Sequence, residues 1–160
     1  MCSLAAFGTP SGLPRHDSSR AVAGPVAGDL EDLRKGDCFS TVDDLTAYPD
    51  KDADKDGAPA SRSVRVMPCA QPHEGEVYGV FSLGSGPFPG KEKIASLVDE
   101  KCSAKALANY LGAEANPPKK MRAYTYFPTP GAWDLGFHQV VCFVGVPTGT
   151  TTGSVRAPGS

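Results

Sequence analysis

The sequence predicts an α+β fold, with a mainly antiparallel sheet of about four or five strands, one principal helix packed on a face, and two disulfides. Three observations predict it. Short runs of β-forming residues are separated by turn residues. The stretch from Lys91 up to Gly112 lacks Gly and Pro and places apolar residues at helical spacing. Four of the five cysteines fall one per predicted segment, at Cys38, Cys69, Cys102 and Cys142.

The N-terminal part of the chain predicts no packed structure. From Thr9 to Asp29 it is rich in Pro, Gly, Ser and charge, with too few large apolar residues to offset the entropy of ordering. Residues 1–29 are therefore predicted to be a disordered linker or the remnant of a membrane anchor, residues 30–157 a folded domain, and residues 158–160 a tail. Met1–Gly8 fits the trailing edge of a removed anchor or a lipoprotein-type cysteine, and Cys2 also fits an inert thiol.

Alternating or β-rich runs predict the strands, and turn residues separate them. Gly36 and Asp37 form a turn that leads into the first strand. The predicted strands begin or run at Cys38-Phe39, 62–69, 76–83, 122–127 and 138–145.

The principal helix is predicted over the stretch that ends at Gly112. Ile94, Leu97 and Val98 begin its apolar face, and Gly112 supplies the C-terminal stop. Cys102 lies one turn after Val98, at the edge of this face, so it can reach a strand beneath the helix.

The spacing of the four cysteines favours disulfides over a zinc site, because zinc ligands usually come in close-spaced pairs and no C-x-x-C pair is present. Four cysteines allow three connectivities. The hypothesis is Cys38 with Cys69, which joins two strands flanking an acidic loop, and Cys102 with Cys142, which fixes the helix to the last strand. Stable disulfides need an oxidising compartment, so the predicted location is extracytoplasmic, either membrane-associated or secreted.

Composition excludes several classes of protein. The 160 residues, 40% apolar and 21% charged, suit one globular domain with unstructured flanks. Sixteen basic and eighteen acidic residues give a net charge of −2 without a basic stripe, which argues against nucleic acid as a partner. No run approaches the roughly 18 to 20 apolar residues needed to cross a bilayer, so membrane contact is predicted only through an anchor absent from this chain.

The pattern of short motifs resembles the septum formation family, whose members are small extracytoplasmic domains tethered to actinobacterial membranes. The resemblance rests on Gly36-Asp37-Cys38-Phe39, on the Cys-x-x-Pro-His-x-x-Glu-Val run from Cys69 to Val77, on Cys102 in a helix, and on later residues. Those later residues are Pro128, Trp133, Gly136 and Val141-Cys142. The resemblance covers about Leu33 to Arg156. It implies a role in septum assembly and cell division but no catalytic activity.

His73, Glu76 and Trp133 are the candidate recognition residues. His73 follows Cys69 closely, but a Cys-His nucleophile needs a free thiolate, and zinc binding by His73, Cys69 and His138 has no supporting spacing, so a structural role is favoured. The resemblance would place His73 in a recognition turn with Glu76.

Trp133, in a proline-rich loop, fits either a ligand-stacking aromatic or a lid over the core, and the lid is favoured.

The acidic loop contains half of a calcium motif. Asp52, Asp54 and Asp56 supply the D-x-D-x-D-G opening, but position twelve is Ser63 where a bidentate Glu belongs, so a solvated loop is favoured over a weak calcium site. No catalytic residue, metal or cofactor is therefore assigned.

The sequence favours a non-enzymatic cell-envelope interaction or scaffold domain that binds an envelope or divisome protein whose identity the residues do not give. Two alternatives stay open. One is a secreted thiol or metal-dependent hydrolase that uses His73, and the other is a calcium-responsive adhesion module.

Overall fold

The computed structural model describes residues 25–41, 63–112 and 119–157. Within them the α+β fold is confirmed: a six-stranded antiparallel sheet carries helices on one face. The strands, in chain order, are β1 Val26–Asp29, β2 Cys38–Thr41, β3 Ser63–Met67, β4 Gly75–Ser82, β5 Arg122–Tyr126 and β6 Gln139–Gly145. The helices are α1 Lys91–Lys101, α2 Ala104–Leu111 and the short α3 Pro130–Asp134, with a 3₁₀ turn at Leu30–Asp32.

The strand order in the sheet is β1-β3-β2-β4-β6-β5. β4 and β6 form the longest pairing, from Gly75 opposite Gly145 to Ser82 opposite Gln139, with a bulge between Val77 and Gly79. β4 is eight residues long, so residues at its two ends belong to two well-separated surfaces.

β1 lies where the sequence predicted a linker reaching Asp29. Its residues pair with β3 from Val26 opposite Val66 to Asp29 opposite Ser63. The folded part of the chain therefore includes residues that precede Leu30. A segment with side chains as small as those of Val-Ala-Gly-Asp gains its order from backbone pairing to a distant strand rather than from its own side chains.

The predicted helix is divided in two at Cys102 and Ser103. Ser103 begins α2 as its N-cap, and its hydroxyl accepts a hydrogen bond from the Ala106 backbone N–H. Gly112, at a φ of 83°, ends α2 as predicted. Because α1 ends at Cys102, the cysteine faces the sheet at the junction of the two helices.

Both sheet faces are buried. The helix-covered face is an apolar cluster built on Tyr78, Ile94, Val98, Cys102, Tyr110, Val140, Cys142 and Val144. The opposite face gathers Phe39, Val77, Val141 and Phe143 with Leu30 and Leu33 from the 3₁₀ turn, along with further strand residues. Burial on both faces explains why β6 is an almost continuous apolar run instead of an alternating one.

The disulfides join Cys38 to Cys69 and Cys102 to Cys142, with Cα–Cα distances of 5.2 and 5.7 Å. These are the pairs that the sequence hypothesis gives. The first closes 31 residues beside the β2–β3 pairing, and the second closes 40 residues and fixes the helical layer to β6. Loops of these lengths correspond to about 4 kcal/mol each in the chain-entropy account of disulfide stabilisation.

None of the helices in residues 25–41, 63–112 and 119–157 combines the length and the apolar character needed to cross a bilayer.

Candidate functional site

A buried polar cluster lies where the turn after Cys69 enters β4. Three parts of the chain build it: the turn itself with the first residues of β4, the end of α2, and residues 147–157, which we call the C-terminal strap. The strap leaves β6, crosses the turn and reaches α2, where the Ala157 N–H donates to the Tyr110 carbonyl at 2.8 Å. The cluster is thus enclosed by residues far apart in sequence.

Glu76 is the centre of this cluster, and it is 1% exposed. One carboxylate oxygen, Oε1, accepts from the Tyr110 hydroxyl at 2.6 Å and from the Ser154 hydroxyl at 2.5 Å. The other, Oε2, accepts from the Val155 backbone N–H at 2.9 Å. A buried carboxylate is tolerated only with such donors, so the strap is part of what allows Glu76 to lie inside the protein.

The charge of the Glu76 carboxylate acts on the Tyr110 hydroxyl. Burial, the charge of Glu76 and the hydrogen bond to Glu76 together raise the pKa of the Tyr110 hydroxyl, against the opposing effects of Arg156 and Ser154. The Arg156 guanidinium and the Lys35 ammonium lie 5.6 and 5.8 Å from its ring centroid. Tyr110 therefore remains a neutral hydrogen-bond donor to Glu76, with cations close to its ring.

His73 lies in the same turn and is 1% exposed. Its Nδ1 is 2.8 Å from the Gln71 carbonyl oxygen; a carbonyl can only accept, so Nδ1 carries a proton. Its backbone forms an isolated antiparallel bridge with Thr151 of the strap. His73 and Glu76, which the sequence links as a recognition pair, are therefore brought together.

Three potential metal-ligand atoms meet here: the Cys38 sulfur, a His73 ring nitrogen and a Glu76 carboxylate oxygen lie within 4.8 Å of one another. A cysteine coordinates zinc as its thiolate. Cys38 is bonded to Cys69, so in the oxidised protein this group does not offer that ligand. The same bond consumes the Cys69 thiol that a Cys-His nucleophile would need.

Trp133 lies at the opposite end of β4 and β6 from Glu76. It is 5% exposed, and its indole Nε1 donates to the Gly86 carbonyl at 2.9 Å. Its ring stacks on His138 at 3.7 Å between centroids and meets Phe88 edge-on at 5.8 Å. The structure thus separates Trp133, and also His138, from the cluster that contains His73.

The acidic residues of the half calcium motif, Asp52, Asp54 and Asp56, lie outside the described residues, as does Cys2.

Sequence reasoning found His73 and Glu76 but missed the rest of the cluster. The strap was included in the predicted domain of residues 30–157 but was assigned to no strand or helix, and Tyr110 lay among helix residues without a distinct signal. One signal was present: Gly153-Ser154 supplies a flexible point followed by a short hydroxyl side chain, a combination suited to close backbone approach. Its partner, 78 residues away, could not be identified from spacing.

The chain matches a known protein family. A family model described as septum formation matches residues 52–142, more than half of the chain. No curated protein and no solved structure matches this sequence.

Proposed function

The chain belongs to the septum formation family, and from this premise we propose that it acts as a non-enzymatic, extracytoplasmic interaction or scaffold domain of the cell envelope in septum formation and cell division. Its partner would be an envelope or divisome protein.

One observation carries the proposal: the groups in the cluster that could do thiol or acid–base chemistry are already engaged in hydrogen bonds or in a disulfide. Glu76 receives three hydrogen bonds, His73 is held by the Gln71 carbonyl, and Cys69 is oxidised. A catalytic group has to reach its substrate, and a nucleophilic cysteine has to be a thiolate. A buried cluster whose polar groups already have bonding partners supports a role in shaping the protein surface rather than a catalytic role.

The two disulfides support the extracytoplasmic location. Both join segments that are distant in sequence and both have structural positions, one beside the β2–β3 pairing and one between the helices and β6. Structural disulfides persist in oxidising compartments and are rare in the cytosol.

The first test concerns the thiols. Intact-mass analysis of the non-reduced, folded protein after alkylation should show a single adduct, located at Cys2 by peptide mapping. An adduct at Cys69 in folded protein would contradict the proposal and favour the thiol-hydrolase alternative. Treatment with a reductant before alkylation is the positive control and should label all five cysteines.

The second test concerns localisation in the cell. A fluorescent fusion of the chain, exported by an added signal sequence in an actinobacterial host, should be enriched at division septa relative to the lateral envelope. The Cys2→Ala variant is the matched control and should behave as the unmodified chain, whereas the Cys38→Ala, Cys69→Ala double variant should lose the enrichment because the turn that carries His73 is no longer tied. Even distribution of the unmodified fusion around the cell would refute the septal role.

A further inference from the structure

The C-terminal strap is held as an extended peptide ligand is held. Thr151 exchanges two backbone hydrogen bonds with His73, at 2.9 and 2.8 Å. Further along, the Gly153 N–H donates to the Cys69 carbonyl at 2.6 Å, and the Ala157 N–H donates to the Tyr110 carbonyl. Main-chain bonds of this kind, made along an extended segment, are the basis of peptide recognition by strand addition.

The side chains of the strap add a specific chemistry to these bonds. The Ser154 hydroxyl and the next backbone amide, that of Val155, donate to the two oxygens of Glu76. The guanidinium of Arg156 then lies over the Tyr110 ring. One buried carboxylate therefore accepts from a hydroxyl and from the following N–H, and one aromatic ring contacts the cation on the next residue.

The surface beneath the strap and the strap itself come from different parts of the chain. Cys69, His73, Glu76 and Tyr110 all lie within the residues matched by the family model, 52–142. The strap, 147–157, lies beyond them. The residues beneath the strap therefore belong to the matched part of the chain, and the strap that covers them follows it in sequence.

We propose that the groove formed by Cys69, His73, Glu76 and Tyr110 is a peptide-recognition site, and that the strap occupies it in cis. The partner segment is an extended peptide with Ser or Thr, then a residue with a free backbone N–H, then Arg or Lys. This inference rests on the proposed function, since it gives the chemical class of the partner.

An added peptide has to compete with the strap for the groove, and this competition determines the peptide affinity that an experiment measures. A tethered segment acts at an effective concentration on the order of millimolar, so a peptide in trans binds weakly while the strap is intact. Weakening a strap contact lowers this competition and leaves the groove unchanged. Loss of one hydrogen bond to a carboxylate should favour the peptide by about tenfold or more.

The test uses the full-length oxidised protein and a fluorescently labelled peptide with the sequence of residues 149–157, with binding followed by anisotropy. Ser154→Ala in the protein should tighten peptide binding by about tenfold relative to the unmodified protein. Thr152→Ala is the matched control, because Thr152 is an exposed strap residue, and it should bind as the unmodified protein does. Ser→Ala in the peptide, at the position of Ser154, should weaken binding to the Ser154→Ala protein by a similar factor.

Equal affinity of the peptide for the Ser154→Ala and Thr152→Ala proteins would overturn the proposal, as would equal binding of the two peptides. A Ser154→Ala protein that dimerises and excludes the peptide would also overturn it, because the occupant would then be the strap of a second copy. If Ser154→Ala does not fold, Arg156→Ala replaces it, since that change removes the guanidinium over the Tyr110 ring and leaves the two strap bonds to Glu76 in place. Peptide binding is measured on purified protein, so its failure is separable from failure of septal localisation.

Discussion

Replacement of Gly75 by alanine tests how closely β2 and β4 approach at the entrance to the polar cluster. Gly75 lies opposite Phe39, and a Cβ at this position would come within 2.8 Å of the Phe39 Cζ and 3.0 Å of Cε1. The Phe39 ring is fully buried and packs edge-on against Phe143 at 5.2 Å between centroids, so it has no free space to move into. Overpacking of this kind costs about 1–3 kcal/mol.

Gly79→Ala is the matched control in the same strand. A Cβ there would meet Cys142 Sγ at 3.7 Å, which is ordinary van der Waals contact. Neither glycine has a positive φ, so both variants gain about 0.4–1 kcal/mol from the reduced freedom of the unfolded chain. We therefore expect Gly75→Ala to lose up to about 2.6 kcal/mol of unfolding free energy net, and Gly79→Ala to be neutral or stabilised by up to about 1 kcal/mol, so that Gly75→Ala is the less stable of the two.

Guanidinium unfolding of the oxidised proteins measures both values, and an unchanged m-value would show that the effect lies in stability. If Gly75→Ala were as stable as Gly79→Ala, the close approach of Phe39 to β4 would be refuted as the reason for glycine at this position.

Three further outcomes are expected. Replacing both Cys102 and Cys142 by alanine should lower the unfolding free energy by about 4 kcal/mol, measured by denaturant titration; a loss below about 1 kcal/mol would contradict the clamping role. Tyr110→Phe should cost about 1.5–3 kcal/mol in the same assay, because it removes one donor from buried Glu76 and keeps the ring, and an unchanged midpoint would argue against that bond. Burial raises the pKa of Tyr78 from 10.0 to about 12, so the stability contributed by its neutral form is complete below pH 10.0 and is lost as pH rises through 12; thermal unfolding should show this decline, and Tyr78→Phe should reduce it.

The sequence was sufficient for the elements whose side chains determine them. β4 and β6 are rich in β-forming residues and were placed within one residue of their observed ends. The disulfide hypothesis matched because each cysteine lies in or next to an element that the patterns identify. The helical stretch was also found, but its break was not, since Ser103 acts through a local capping bond that apolar periodicity does not register.

The sequence was insufficient where order comes from distant backbone contacts. β1 has one large apolar residue, Val26, and depends on β3 for its hydrogen bonds. The strap has few apolar residues and is ordered by bonds to the turn and to α2. Glu76 was identified as a candidate, but its burial could not be inferred, because its donors Ser154 and Val155 come from that strap. Long-range pairing of polar segments leaves no periodic signature in the residues themselves.

The position of Trp133 determines what an optical measurement on this protein can report. It is the single tryptophan of the chain, and it lies with Phe88 and His138 at the end of the sheet remote from Glu76. Intrinsic fluorescence is thus a local probe of that end, whereas far-ultraviolet circular dichroism averages over all the strands and helices. Coincident unfolding curves from the two signals would establish that both ends of the sheet lose structure as one cooperative unit. A fluorescence change that leaves circular dichroism untouched would instead mark the aromatic end as a separate unit of lower stability.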